Sequence, residues 1–261
     1  MQLINRKSSA PFILIYGDTN SGKTTSIVLT APEPILYISV EDDVWLAVDV
    51  ADKQVKDGLR DKKVDITPMI PDMHEDLIDF LNQIIEEAKV KKFKFKTVVF
   101  DSGTFWMNIK LTIRIEDDRN VGRVKEGHPE FGKLSAQTKK DYTEINTANS
   151  QMSRLTNLLK ILARHGVMVI MTARQQDNPK WNRELEASPE FNYKEFNKAL
   201  QGYFDYIGFT IPNLDDDGEV VYPPNLSFSG EHGYLVKWRG VQPKRLITKF
   251  DLSRRFAWFC K

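Results

Sequence analysis

The sequence predicts an α/β fold: a mostly parallel, doubly wound sheet with a few antiparallel strands towards the C-terminus. Three observations carry this. The runs Phe12-Ile13-Leu14-Ile15-Tyr16, Ile35-Leu36-Tyr37-Ile38-Ser39, Thr97-Val98-Val99-Phe100 and Val167-Met168-Val169-Ile170-Met171 are continuously apolar or nearly so. Such runs read as strands buried on both faces. Segments of helical character separate them, and that alternation implies right-handed crossovers and parallel pairing. Shorter strand signals then cluster late in the chain, at residues 206–211, 220–222 and 234–238.

The elements follow in order. A helix is expected over 24–30, opened by the glycine-bearing turn after the first strand. The second strand ends at Val40-Glu41-Asp42-Asp43, and a polar stretch with a short strand at 64–66 follows. A helix over 71–90 has Pro71 near its start and Leu77, Phe80, Leu81 and Ile84 at helical spacing. The third strand closes at Asp101-Ser102, and a helix is expected over 105–115. Residues 117–136 hold three glycines, Pro129 and many charges, so they read as a long loop. A long helix over 141–164 sets Met152, Leu155, Leu158, Leu159 and Leu162 on one side. A second long polar loop is expected from Arg174 to about Glu190.

Composition narrows the class. The chain has 261 residues, 41% of them apolar, which suits one large domain rather than disorder. A formal net charge of +1 gives no global sign of a nucleic-acid binder. The single cysteine, Cys260, excludes an internal disulfide framework and fits a reducing compartment. The polar amino end lacks a signal-peptide core, and no stretch approaches the roughly 20 apolar residues of a membrane span. A cytoplasmic protein with no membrane partner is expected. The histidines are scattered and suggest no metal site.

The turn after the first strand is Gly17-Asp18-Thr19-Asn20-Ser21-Gly22-Lys23-Thr24, a complete P-loop pattern, with Thr25 alongside. Backbone N–H groups of such a loop and of the helix it opens cradle phosphates. Lys23 neutralises the β- and γ-phosphates, and the Thr24 hydroxyl ligates Mg2+. ATP with Mg2+ is the expected cofactor pair. Asp101, ending the third strand, is the natural second magnesium partner, against a plain role capping the next helix. Glu41 closes the second strand, where a carboxylate can orient an attacking water. Alternatively Glu41, Asp42 and Asp43 simply serve a helix start.

In this order of elements the chain resembles the RecA-like ATPase core over roughly residues 10–240. It looks most like the short, phage-encoded single-strand annealing recombinases of the Sak type. The resemblance implies a domain over 1–240 and a basic, aromatic segment over 241–261, packed on the core or on a neighbouring subunit. It implies that Glu41 is the catalytic glutamate and that Asp101 holds the Walker B position. Lys237-Trp238-Arg239 is similar to the Lys-x-Arg pair that such ATPases direct at a neighbouring subunit's γ-phosphate, so a homo-oligomer, ring or filament, is implied. The family's phosphate-sensing glutamine is displaced here. Arg174 stands in its register, with Gln175 and Gln176 next.

In RecA-like filaments two loops face DNA. Their counterparts here carry Arg119, Arg123 and Lys125, then Lys180, Trp181 and Arg183, although glutamates dilute both. Cations with a tryptophan suit single-stranded DNA. Residues 237–261 add eight basic residues against Asp251 alone, interleaved with Phe250, Phe256, Trp258 and Phe259. These aromatics serve either a nucleic-acid surface or the core. The leading expectation is an ATP-dependent single-stranded-DNA recombination or annealing protein, with a single-strand-binding protein as a possible partner and the host cytoplasm as its place. The alternatives are a helicase-type motor, for which the chain before the P-loop leaves no accessory domain, a P-loop small-molecule kinase, and a scaffold without turnover.

Overall fold

The computed structural model describes residues 9–40, 44–112, 115, 142–217, 220–230, 233–240 and 247–257. Among these, a nine-stranded sheet is the frame. Its strands are β1 (Phe12–Gly17), β2 (Ile35–Ser39), β3 (Ile66–Met69), β4 (Thr97–Asp101), β5 (Met168–Asp177), β6 (Ala187–Pro189), β7 (Tyr206–Leu214), β8 (Val220–Ser227) and β9 (Ile247–Lys249). The order is β3-β2-β4-β5-β1-β7-β8-β9, with β6 paired to β5. Pairing is parallel from β3 through to β7, then antiparallel for β8 and β9. The predicted α/β class, parallel with a few antiparallel C-terminal strands, is what the chain adopts.

Both sheet faces are buried, which explains the continuous apolar strands. Phe12, Leu14 and Tyr16 of β1 enter one core cluster, while Ile13 and Ile15 enter the other. The first cluster is covered by α3 (His74–Lys89), α5 (Tyr142–Arg164) and α6 (Lys194–Tyr203). The second lies under α1 (Lys23–Thr30), α2 (Val44–Lys56) and α7 (Leu252–Arg255). Between β4 and α5, α4 (Gly103–Phe105) runs into a π-helical stretch, Trp106–Leu111.

Several expectations shift. The short strand lies at Ile66–Met69 rather than 64–66, and its Pro68 is tolerated because β3 is an edge strand. The helix expected from 71 begins at His74. Helix α2 was not legible as one. It buries the small Ala47 and Ala51 with Val44, and leaves Trp45 54% and Leu46 72% exposed, so apolar spacing does not mark its inner face. Helix α6 rests on few anchors, chiefly Phe196 and Leu200, too few for a clear period. The second long loop is a correction. β5 continues through the polar residues Arg174 to Asp177, and β6 pairs back on it, leaving only 178–186 as a turn. The strand expected at 234–238 is reduced to two isolated bridges, Ala187 with Tyr234 and Ile207 with Lys237. The loop over 117–136 lies outside the described residues.

The C-terminal segment packs on this chain's own core. Phe250 and Phe256 are 1% and 0% exposed, β9 pairs with β8, and the Leu252 N–H donates to Thr30 Oγ1 at 3.1 Å. Arg255 lies over the rings of Phe228 and Trp238. Of the two readings of the tail aromatics, core packing holds for Phe250 and Phe256; Trp258 and Phe259 lie outside the described residues. Phe256→Ala should cost about 3–5 kcal/mol, as for a fully buried ring. Chemical denaturation checks this, and an unchanged midpoint would mean the tail is no part of the folding unit.

Candidate nucleotide site

The P-loop leaves the C-terminal end of β1, the central parallel strand, which has β5 on one side and β7 on the other. Ligands of open α/β sheets bind at this end. Two glycines are required by the local path. Gly22 caps α1 in the left-handed region at φ 77°. At Gly17 a Cβ would lie 2.0 Å from Thr210 Oγ1, so no larger residue fits. Thr210 donates to Ser21 Oγ at 2.8 Å and ties the loop to β7.

No side chain caps the start of α1. Its first N–H groups therefore face the cleft, where the helix dipole favours an anion. The Lys23 ammonium donates to Gly17 O at 2.9 Å, Asp18 O at 2.7 Å and Ser21 Oγ at 3.1 Å. It thus holds the loop in shape, with its charge at the phosphate position. The cleft encloses about 350 Å3 and is lined by residues 19–25 together with Leu46, Ala47, Asp101, Ser102, Ala173 and Arg174. That volume is in the range of small-molecule sites.

Asp101 is 6% exposed and stands across the cleft from the loop. The Thr24 hydroxyl donates to its Oδ2 at 2.8 Å. Tyr37 donates to the same oxygen and Thr172 to Oδ1. Thr24 and Asp101 together form a hard oxygen pair that fits Mg2+, whose remaining ligands are ordinarily phosphate and water. Among the described residues, no group of three or more His, Cys, Asp or Glu side chains could hold an ion by itself. Ser102 instead caps α4, accepting from the Phe105 N–H at 3.2 Å.

Arg174 is exposed and lines the cleft. The Gln175 amide donates to Asp177 at 2.8 Å, and Gln176 pairs in register with Ser188. Of the three sensor candidates, Arg174 is the one that lines the cleft. Thr104 locks this corner: it donates to Glu190 O at 2.8 Å and accepts from the Arg174 N–H at 2.9 Å.

The Lys-x-Arg pair sits elsewhere. The Asp205 N–H donates to Phe12 O, so this corner is the far end of β1 from the P-loop. Lys237 donates to Phe204 O at 2.7 Å and to Gln201 O, tying down the C-terminal end of α6. Burial lowers its pKa below that of an ordinary lysine; Asp205 opposes this shift and the Arg239 charge adds to it. Arg239 pairs with Asp205 at 2.5 Å and keeps a side chain that is 69% exposed. Lys180 and Arg183 are exposed on the β5–β6 turn. Trp181 packs against the first core cluster, so its ring is not an open stacking platform. Glu41, with Asp42 and Asp43, and Arg119, Arg123 and Lys125 lie outside the described residues.

Sequence reasoning missed Tyr37, Thr172 and Thr210. The only signal available was a polar atom inside otherwise apolar strands.

A P-loop at the C-terminal end of a central parallel strand, facing a strand-end aspartate and a threonine hydroxyl, defines the P-loop NTPase class. A family model described as an AAA domain matches residues 9–239, and the chain belongs to that family. It is a P-loop ATPase domain of the AAA type. A comparison with curated proteins found no significant match. No helix among the described residues is long and apolar enough to cross a membrane.

Lys23→Ala should reduce ATP turnover at least about a hundredfold, since it removes the cation facing the transferred phosphoryl group. Phosphate release by purified protein is the check; full turnover would remove Lys23 from the site.

Proposed function

We propose that this domain is an ATP- and magnesium-dependent recombination or annealing protein of phage type. It binds single-stranded DNA and hydrolyses ATP where copies of the chain meet. The observation that carries the reading is the path of β5. Thr172 on this strand holds Asp101, Arg174 reaches the cleft, and the strand then turns through the exposed Lys180 and Arg183. One element therefore connects the cleft to an exposed turn in which Lys180 and Arg183 stand among Asp177, Glu184 and Glu186. A shift of Arg174 on loss of the γ-phosphate would move that turn.

The reaction is in-line attack of water on the γ-phosphorus. The bond from that phosphorus to the ADP oxygen breaks, and the water proton passes to Glu41, the base that the family resemblance implies. The P-loop amides and Lys23 stabilise charge on the phosphoryl oxygens. Magnesium, held by Thr24 and Asp101, would neutralise the β- and γ-oxygens. Arg239 lies one strand length, about 20 Å, from its own P-loop. A finger role for it therefore requires a neighbouring subunit, and Lys237 steadies the segment that presents it. A single-strand-binding protein is the further partner this reading implies.

ATP turnover with and without single-stranded DNA, beside sizing of the complex, tests the proposal. Stimulated turnover by an oligomer is expected; a monomer with neither DNA binding nor stimulation would sink the recombinase reading and leave the ATPase intact. Arg239→Ala should spare ATP binding and reduce turnover about a thousandfold. An unchanged rate would remove it as a finger. Lys180→Glu with Arg183→Glu should weaken DNA binding and flatten its salt dependence by about 0.7 in log–log slope per lost phosphate contact. Affinity measured across a salt series reads both effects.

A further inference from the structure

Asp101 is held from two sides. In the sheet, β4 lies between β2 and β5. Ser39 of β2 is the register partner of Asp101, and the Phe100–Met171 pair brings Thr172 of β5 beside it. From β2, the Tyr37 phenol donates to Oδ2; from β5, the Thr172 hydroxyl donates to Oδ1. Both residues are 0% exposed. The carboxylate can turn about one terminal torsion, which by itself is broad. Anchoring each oxygen from an opposite neighbour stops that turn.

The orientation matters for Thr24. Its proton points to Oδ2 at 2.8 Å. A hydroxyl whose proton is so committed can offer a lone pair to a cation in the cleft. If the carboxylate rotates, the Thr24 proton follows and the lone pair is no longer aimed. Packing alone does not require the two buried hydroxyls, because phenylalanine and valine would fill nearly the same volumes.

We infer that Tyr37 and Thr172 are positioning residues for the cation site, fixing Asp101 so that it and Thr24 present their oxygens together. The assignment rests on the proposed magnesium role of Thr24 and Asp101. Ligand-orienting partners of this kind typically change metal affinity by about 10–100-fold when removed.

The test is binding of a fluorescent ATP analogue to the whole chain, titrated with Mg2+ and repeated in chelator. Tyr37→Phe and Thr172→Val should each raise the Mg2+ concentration at half-effect about tenfold. Affinity in chelator should stay the same, and Thr172→Ser, which keeps the hydroxyl, should stay near wild type. Unshifted midpoints in Tyr37→Phe and Thr172→Val, while Asp101→Asn shifts its own, would overturn the inference and leave the cation site standing. A Thr172→Ser shift as large as that of Thr172→Val would reduce the role to packing and overturn it too. If Asp101→Asn leaves the midpoint unmoved, the cation site itself fails, and the inference with it. Should Tyr37→Phe not fold, the Thr172 pair decides.

Discussion

The carboxylate of Asp101 is the joint on which the site depends. Hydroxyls from α1, β2 and β5 converge on its two oxygens. A buried carboxylate is costly unless hydrogen bonds replace its water. Here the neutral hydroxyls of Thr24, Tyr37 and Thr172 do so. The group is satisfied enough to remain in a folded core at the edge of the cleft. The bond from Thr24 also fastens the P-loop helix to the middle of the sheet.

The sheet makes this joint possible. Parallel strands covered on both faces bring their C-terminal ends to a single rim, where loops can carry polar groups that the interior could not hold. Alternate residues of β1 supply both core clusters, so the strand bearing the P-loop is fixed from two directions. The rim is further braced by Thr210 on the loop side and Thr104 on the β5 side. The C-terminal segment completes the second face, with Phe250 and Phe256 inside and Arg254 exposed. Arg254 is thus on the solvated side of a packed element, while Arg255 lies over the rings of Phe228 and Trp238.

β5, like β7, runs past the rim at which β1 ends. Its apolar half is core, and its polar half pairs with β6 beyond the cleft. That extension turns an expected loop into a stiff arm. It brings Arg174, and not Gln175 or Gln176, to the lining of the cleft.

The sequence by itself determined the parts that depend on local pattern. Doubly buried strands must be continuously apolar, so four of them and their parallel pairing were readable, while their order in the sheet was not. The P-loop needs fixed glycines and Lys-Thr at fixed spacing, so Gly17 to Thr24 was readable to the residue, as was Asp101 at a strand end. Only the tertiary structure decided what depends on which elements become neighbours. A tyrosine, Tyr37, and a threonine, Thr172, inside apolar strands look like core until β2 and β5 are seen flanking Asp101. Helix α2 was hidden because its buried side is the small one. Lys237 and Arg239 looked alike in sequence, yet one ties down a helix end and the other stays exposed beside Asp205. Hydrogen bonds such as those to Asp101 from Tyr37, 64 residues away, and from Thr172, 71 residues away, are set by the packing of whole elements, and no local spacing encodes them.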